Sequence, residues 1–500
     1  MNRIALILAL TSTSAMAEIT PRDVIESWRT AYAGMGATIT YDAAELDGKL
    51  VQLNNVSSIE ILGNDTTTSG FNWVRMQQQG DGSILVTFSP GGERTVITTG
   101  QYGISSTVTT RYDFSAMSMV ATGYPSDIRY TYSAPQVIYS EVSGDESYGK
   151  KIDLILTDFS GEATSITNVT ESGPRVADFG EFSFGRADIT ITESALTSPL
   201  QTTRILAVNA GMAYRVEFPL TDILAEPTVL TDMPARIDMQ MSFSSGALSG
   251  QTESNYGFEF DPRLITFGHA GGSVNMRASH NQLSFGFSSQ EGRLGMSDPS
   301  ISGVEFDAAV SEANFEFSIP FRRSDTAKPF SLSLALKQLS LGAESWANMD
   351  PENAMGQPSA DLVLSFTGLM RIINGVFEDK SELEHNDASF FVPNLSVDTA
   401  RISIGDAVID GRGNLRFNPR QIDPDTGRAA AKGELEFSII GALGFLDRFG
   451  RLSGVDPMMI LGAKGGLGMF ASPTDTPDSF TSKIEFLSGG GIEVNGQTVR

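Results

Sequence analysis

The chain has 500 residues, a formal net charge of −25, no cysteine and three histidines. An acidic surface is repelled by nucleic-acid phosphates and by anionic lipid head groups, so the composition argues against a nucleic-acid partner. The chain has no thiolate ligands, and its histidines do not have the spacing of a metal site. The sequence therefore predicts no metal ion and no cofactor.

The first 17 residues have the three parts of a secretory signal peptide. Arg3 is a short positive start, Ile4–Leu10 is an unbroken apolar run, and Ala15-Met16-Ala17 has small residues at the two positions that a signal peptidase recognises. We therefore expect cleavage before Glu18 and a periplasmic mature chain with a net charge of −26, because the removed segment carries one positive charge. No later segment has the length and apolar character of a transmembrane helix, so none is expected in the mature chain.

A short helix is predicted at the start of the mature chain. Thr20 suits the N-cap, Pro21 the first helical position and Asp23 the first turn. Apolar residues at helical spacing follow, and we expect the helix to end at Gly34 or Gly36 with one face packed against the rest of the protein.

Alternation of apolar and polar residues dominates the rest of the chain. In Ile237–Phe243, Ala313–Phe321 and Phe330–Leu336, apolar residues fall on every second position, which places them on one face of a strand. Turn residues, among them Gly271-Gly272, separate such runs. The predicted fold is therefore mainly β, with long antiparallel strands in a curved sheet or sandwich, an N-terminal helix and a late helical insert. Similar runs cover Ile84–Phe88, Val108–Tyr112, Ile152–Leu156, Phe179–Ile191 and Arg401–Phe417.

The helical insert is expected near residues 438–470. A broad apolar stripe runs from Ser438 to Leu452, and Pro457 is suited to begin a second helix. Further on, Asn495-Gly496 stands between two short alternating runs. This dipeptide predicts a hairpin, because a type I′ turn needs positive φ angles at both central positions.

Residue types change along the chain. All eleven tyrosines lie at or before Tyr256, and three prolines fall between residues 219 and 234. We therefore expect two β-rich regions, residues 18–230 and 235–500, with a boundary near 219–234. The alternative is one continuous domain.

No motif predicts an enzyme. The chain lacks a Gly-x-Ser-x-Gly nucleophile elbow, and its glycine-rich run at 462–468 lacks the spacing of a phosphate-binding loop. The acidic clusters Asp423–Gly427 and Glu378–Asp387 invite a calcium interpretation, but neither has the ligand spacing of a calcium loop. A turn and a solvated helix end explain them more simply. No catalytic residue and no metal ligand is therefore assigned.

The order of motifs in the second half resembles a known family. Pro329-Phe330 opens an alternating run, Trp346–Pro351 follows, and Pro358-Ser359-Ala360 precedes a second run that ends at Gly368. This order is similar to an uncharacterised exported family of Gram-negative bacteria, domain of unknown function 2125. The resemblance covers most of the chain. It implies a location in the cell envelope and brings no catalytic residues with it.

The apolar face of two neighbouring strands is the predicted ligand site. Phe315 and Phe317 lie on one strand and Leu332 and Leu334 on the next, and antiparallel pairing across the polar turn Arg322–Lys328 puts both rows on one face. Few helices are available to cover this face, so a second sheet must close it or an apolar ligand must occupy it. Two functions follow: a non-enzymatic envelope protein that binds a lipid or another apolar ligand, and a structural or partner-binding envelope protein with a closed core.

Trp346 is assigned to the same surface with two interpretations. With Asp350-Pro351 it forms either a lip of the binding surface or a structural cover over a core edge beside a turn, and the structural interpretation is favoured.

Export is tested by the N-terminus of the mature protein. Protein purified from the envelope of a Gram-negative host is expected to begin at Glu18 on N-terminal sequencing. The variant Ala17→Leu removes the small residue at the cleavage position, so it is expected to keep the first 17 residues. An intact Met1 on the unmodified protein in that fraction would refute the assignment.

Overall fold

The structure is a computed structural model. It describes residues 19–500 except for 35–36, 48, 63–64, 100–104, 115, 145–147, 171–172, 196–197, 220–235, 244–247, 255–262, 280, 298–304, 374–389, 423–428 and 453. The described part of the chain is mainly β, with antiparallel strands, an N-terminal helix and later helices near the C-terminus, as the sequence predicted.

Helix α1 (Pro21–Gly34) precedes a long series of strands. The strands of the first half are β1 (Ala37–Asp47), β2 (Leu50–Leu62), β3 (Asp65–Gln78), β4 (Ile84–Phe88), β5 (Gly92–Thr99), β6 (Ser105–Asp113), β7 (Ser118–Tyr124), β8 (Asp127–Gly144), β9 (Tyr148–Thr170), β10 (Gly173–Ala195), β11 (Ser198–Pro219), β12 (Arg236–Phe243) and β13 (Leu248–Ser254).

The described residues of the second half form further strands and three helices. Its elements are β14 (Arg263–His269), β15 (Gly271–Ser279), β16 (Gln282–Ser297), β17 (Glu305–Pro320), β18 (Lys328–Leu341), α2 (Ala343–Met349), β19 (Ala360–Ile372), β20 (Phe390–Ile404), β21 (Ala407–Ile422), β22 (Ala429–Ile440), α3 (Ala442–Phe449), α4 (Pro457–Phe470), β23 (Ser472–Pro473), β24 (Ser479–Phe486), β25 (Ile492–Val494) and β26 (Gln497–Thr498).

Hydrogen bonds join these strands into one sheet in which neighbours along the chain are mostly neighbours in space. At several positions in the sheet, including the following three, two short strands are placed end to end. β4 and β5 lie beside β3. β7 and β6 lie beside β8, and β12 and β13 lie beside β11. Helix α1 contacts both β1 and β10, which are seven strand positions apart. A flat sheet would separate them by about 34 Å, so the sheet curves around the helix.

The predicted cap explains where α1 begins. The Thr20 hydroxyl accepts a hydrogen bond from the Asp23 amide at 3.3 Å, and the Asp23 carboxylate accepts one from the Thr20 amide at 2.8 Å. This reciprocal pair satisfies amides that the first helical turn leaves free. Val24 and Ile25 are buried on the face that the helix turns toward the sheet, where they join the largest cluster of buried side chains.

One row of cross-strand pairs is apolar over seventeen strands. Starting at Val51 on β2, each member pairs with a residue of the next strand, so all members lie on one face. The row runs through Val51, Met76, Val86, Met119, Tyr132, Gly161, Phe182, Met212, then across β12 to Val274, Phe287, Phe315, Leu334, Leu364, Ala400, Gly411 and Phe437. We call this surface the apolar face.

The opposite face of the sheet is polar. Its side chains belong to residues one position along each strand from the members of the apolar row. The row next to the apolar one contains Ser133, Ser160, Ser183, Gly211, Ser273, Ser288 and Asn314. Serines in this row bond to each other across strands, at 3.0 Å between the hydroxyls of Ser160 and Ser183 and at 2.9 Å between those of Ser273 and Ser288. The strict period of two in the sequence therefore becomes one apolar and one polar face.

A line of left-handed residues crosses the sheet. Asn55, Asp158, Asn209, Glu291 and Gln338 lie inside strands and have φ angles between 48° and 54°. Non-glycine residues seldom adopt this conformation inside strands. The register places Asp158 opposite Gly185, and Gly185 opposite Asn209. Glu291 faces Ser311, which in turn faces Gln338. We call this line the crease.

The apolar pattern changes phase at the crease. On β2, the residues that contact the buried cluster are odd-numbered before Asn55, at Val51 and Leu53, and even-numbered after it, at Val56, whereas Ile59 and Ile61 are exposed. A left-handed residue interrupts the alternation of side-chain directions, so the change of phase keeps the side chains that contact the cluster on one face. A Cβ at Gly185 would lie 2.9 Å from the Asp158 carboxylate, so a larger residue there would displace this carboxylate.

Three local predictions are corrected by the structure. The alternating stretch Arg401–Phe417 is two strands, β20 and β21, because Gly405 takes a φ of 58° and closes a tight turn. Ser438–Ile440 belongs to β22 rather than to a helix, and α3 starts only after the left-handed Gly441. Gly271-Gly272 is not a turn but the start of β15, which pairs with β16.

Other predictions are confirmed or lie outside the described residues. Pro457 does begin a helix, with the Asp456 side chain accepting a hydrogen bond from Met458. Asn495 and Gly496 both have positive φ angles between β25 and β26, as the hairpin requires. Both acidic clusters and almost all of the expected 219–234 boundary fall outside the described part of the chain, although β11 and β12 on its two sides pair in the same sheet.

The crease yields a prediction about stability. A β-branched residue is poorly tolerated at positive φ, so Asp158→Val should destabilise the protein by about 1–2 kcal/mol, whereas Asp158→Gly should be close to neutral. Ser160→Val, two residues further along the same strand and at an ordinary extended position, is the control. Midpoints of thermal unfolding compare the three variants. Equal midpoints for Asp158→Val and Ser160→Val would show that the crease carries no strain.

Candidate functional site

The apolar face is covered by helices at its two ends. Helix α1 lies over the first end, where Met76, Val86 and Met119 are buried. At the other end α3 packs against β21 and against α4. Between these helices and the sheet is an apolar cavity of about 460 Å³, whose lining includes Ile402, Ile409, Phe437, Ile439, Phe445, Leu467 and Phe470.

The middle of the apolar face is less covered. The part of the sheet from β11 to β19 is seven strands wide, so its first and last strands are six intervals or about 29 Å apart at the usual strand spacing. In the described part of the chain, the packing of these strands is dominated by their hydrogen-bonded neighbours, and α2 packs only at one end of β17. Met276 and Leu332 are each 37% exposed, and Phe315, Phe317 and Leu334 are half-buried. An exposed apolar patch of this extent is typical of a binding surface.

Four of the five residues predicted to bind a ligand come together in this middle part. Phe315 pairs with Leu334 and Phe317 with Leu332, which is the hairpin pairing expected from the sequence. The rings of Phe315 and Phe317 are 5.8 Å apart, and Phe285 on β16 stacks on Phe317 at 5.7 Å. Phe285 and Phe287, which the sequence analysis did not select, extend the same surface.

Trp346 is not part of this group. It lies on α2, which packs at the opposite end of β17, where the Ser345 hydroxyl bonds to the Asp307 carboxylate at 2.8 Å. Asp307 is eight residues from Phe315, about 26 Å along a straight strand. Trp346 is buried, and the Asp350 carboxylate accepts hydrogen bonds at 2.7 Å from the amides of Ala354 and Met355. A buried tryptophan at an edge, followed by a turn, is the geometry that the structural interpretation describes.

A second cavity lies beneath α1 and has a volume of about 330 Å³. Trp28 and Tyr32 of the helix form one wall, and the sheet contributes Tyr130, Tyr132, Asp178 and Tyr214 from three different strands. The register explains why these residues converge. Tyr130 pairs with Ala163, which pairs with Gly180, and Gly180 pairs with Tyr214, so small residues leave space between the large rings.

The rings around this cavity are held in place by their neighbours. Tyr214 stacks on Phe182 with ring centroids 5.8 Å apart and an angle of 4° between the planes. The ring of Tyr132 packs edge-on against the ring of Phe182, with ring centroids 5.5 Å apart. The Tyr130 hydroxyl bonds to Ser27 of α1 at 3.2 Å. The walls are therefore formed before any ligand arrives.

The electrostatics of the cavity centre on Asp178. Burial raises the pKa of this carboxyl above its ordinary value of 3.8, and a hydrogen bond from Ser165 opposes the change. Burial also raises the pKa of Tyr130 and Tyr214 to about 12 in each case, and the negative charge of Asp178 adds to both increases. The tyrosines therefore stay neutral at physiological pH.

The sequence analysis did not select Asp178 or the tyrosines. Asp178 is one of many acidic residues on alternating strands, and its strand pattern does not distinguish it. The one available signal was the concentration of all eleven tyrosines at or before Tyr256. Sequence spacing could not show that four of them meet beneath one helix.

The described residues contain no cluster of three or more histidines and carboxylates that could hold a metal ion. On the polar side of the sheet, β10 to β18 enclose a wide depression of about 740 Å³, lined by Glu181, Arg215, Arg277 and Glu316. Arg215 already pairs there with Glu217 at 2.8 Å. Among the described helices, none combines the length and hydropathy needed to cross a membrane.

Asp178 also yields a prediction about pH. A carboxyl whose pKa is raised on folding binds a proton more tightly in the folded state, so stability falls as pH rises from the unfolded pKa through the folded one. Asp178→Asn should therefore raise the midpoint of thermal unfolding at pH 7 and should have little effect below about pH 4.

Asp188 on the same strand is the matched control. A hydrogen bond and ion pair with Arg186 lower the pKa of Asp188, so its carboxylate stabilises the folded state above the unfolded pKa. Asp188→Asn should therefore lower the midpoint at pH 7. If Asp178→Asn also lowers the midpoint of thermal unfolding, the folded protein stabilises the charged form of Asp178, and the prediction is wrong.

Comparison with known proteins finds little similarity. No protein-family model matches the chain, and no curated protein matches it. One solved structure, the alcaligin outer membrane receptor FauA from Bordetella pertussis, aligns with 80% of this chain and 70% of its own, with 9% sequence identity and a TM-score of 0.24. A TM-score of this size does not establish a common fold, so the alignment assigns no function to this chain.

Proposed function

We propose that this protein is a non-enzymatic protein of the Gram-negative cell envelope that binds an elongated apolar ligand, such as the acyl chain of a lipid, along the middle of its apolar face. The observation that carries the proposal is the row from Met212 to Leu364, which continues the buried core beneath α1 and which none of the described helices covers. The row is thus buried core beneath α1, and it is accessible from Met212 to Leu364, where its described members are half-buried.

The dimensions of the face suit an acyl chain. One leaflet of a bilayer's hydrocarbon core is about 15 Å thick, whereas the uncovered part of the face extends about 29 Å across the strands. Each methylene that leaves water contributes about 0.8 kcal/mol, so a chain of more than ten methylenes can offset the cost of immobilising a ligand. Half-buried Phe315, Phe317 and Leu334 offer that contact without reorganisation of the sheet.

The envelope location is supported by the signal-peptide pattern of residues 1–17 and by the resemblance to family 2125. A net charge of −26 for the mature chain opposes adsorption to anionic membrane surfaces, which favours binding of single lipid molecules over attachment to a bilayer. A structural role with the face closed by a partner protein is the competing function.

A charge on the face separates the two functions. Leu334→Asp places a carboxylate in the middle of the apolar row. Because that position is reached by water in the unliganded protein, we expect the variant to fold with little loss of thermal stability and to retain no lipid. Organic extraction of the purified proteins, followed by mass spectrometry, measures the retained lipid.

Ser331→Asp is the matched control. Ser331 lies on the same strand but on the polar face, where its cross-strand partners are Ser318 and Thr367. It adds the same charge and should leave lipid retention unchanged. An unfolded Leu334→Asp variant together with a lipid-free wild type would reject lipid binding and favour the closed structural role.

A further inference from the structure

The cavity beneath α1 joins an aromatic wall to one charge. Of the described residues that line it, Asp178 alone has a carboxyl group, and neither lysine nor arginine is among them. Ser165 donates a hydrogen bond to the Asp178 carboxylate. Among the side chains that the structure describes, no lysine or arginine forms an ion pair with it. A half-buried carboxylate in such surroundings costs free energy unless a cation compensates it.

The lining excludes three kinds of ligand. An anion would meet the Asp178 carboxylate with no cation to hold it. A purely apolar ligand would bury that carboxylate without a partner. A divalent metal ion prefers six or more oxygen ligands and usually several carboxylates, and the described lining supplies one carboxylate.

We propose that this cavity binds an organic ammonium group, with the Asp178 carboxylate as its counter-charge and the rings of Trp28, Tyr132 and Tyr214 as its walls. Aromatic rings attract cations through the negative potential of their faces, and this attraction is strongest where water is excluded. The lining also includes hydroxyl groups, such as those of Ser57 and Ser69, and apolar side chains, among them Val74, Phe88 and Met119, so the ligand carries an apolar body beside its ammonium group. The negative net charge of the whole chain increases the local concentration of such a cation.

This inference is independent of the proposed function, because it depends on Asp178 and α1 and not on the uncovered middle of the apolar face. Either one can fail while the other holds. The stacking of Tyr214 on Phe182 at 5.8 Å and the contact of Tyr132 with Phe182 at 5.5 Å keep two of the walls fixed, which lowers the entropy cost of binding a small cation.

The test uses choline and ethylammonium as probes on the mature full-length protein, by isothermal titration at constant ionic strength. The neutral isostere of choline, 3,3-dimethylbutan-1-ol, is titrated in parallel. We expect saturable binding of at least one ammonium probe at one site per chain, and binding of the neutral isostere at least about tenfold weaker than that of choline. This comparison needs no variant, so it does not depend on the folding of any mutant.

Variants then locate the site. Asp178→Asn should weaken binding of the ammonium probe by about tenfold or more, whereas Asp188→Asn, with the same change of charge on the same strand outside the cavity, should leave it within about twofold. Tyr214→Phe keeps the ring and should retain binding, and Tyr214→Leu should lose it. The proposal is overturned if neither ammonium probe saturates a site, if the neutral isostere binds as tightly as choline, or if Asp178→Asn and Asp188→Asn have equal effects.

Discussion

The register of the antiparallel pairs is the constraint on which the rest of this structure depends. A slip by one residue would put Asn314 or Glu316 on the apolar face in place of Phe315, because side chains alternate between faces with a period of two. The row that begins at Val51 keeps its apolar character through sixteen neighbouring pairs, so each strand has the register that its neighbour requires. Register therefore determines which residues form the apolar face and which polar residues lie on the opposite side of the sheet.

The same face has different roles along its length because the helices cover only part of it. Beneath α1 the face is closed core, with Met76 and Val86 fully buried. At the edge of that core, the cover is incomplete and leaves the cavity that holds Asp178 among tyrosines. Beyond β11, in the described part of the chain, the face continues without a helix until α3 and α4 are reached. A polar site and an apolar surface thus arise on one continuous face of the sheet, and they differ in what covers them.

Local signals in the sequence specified the elements well and their long-range arrangement poorly. Alternation identified β4 with its ends at Ile84 and Phe88, and the cap at Thr20 and Asp23 identified the start of α1. The antiparallel pairing of the two strands that carry Phe315 and Leu334 also followed, since a short polar turn joins them. The crease could not be predicted. In the sequence, Asp158 and Asn209 look like any other polar residues inside strands, and only the structure shows their positive φ angles. Trp346 was grouped with the apolar face from its place in the sequence, but α2 holds it at the other end of β17.

Local sequence patterns were enough to predict mainly antiparallel β structure with one apolar face, a helix ahead of the strands, and a surface shared by Phe315, Phe317, Leu332 and Leu334. Each of these rests on neighbours within a few residues or across one short turn, and local periodicity specifies such neighbours. Two features are visible only in the tertiary structure. The strands form one sheet that curves around α1, and Asp178 lines the same cavity as Trp28 and Tyr214 beneath that helix. Those contacts join residues about 150 and 36 positions apart along the chain. Their formation depends on the cumulative twist and curvature of many strand pairs, which no single segment encodes.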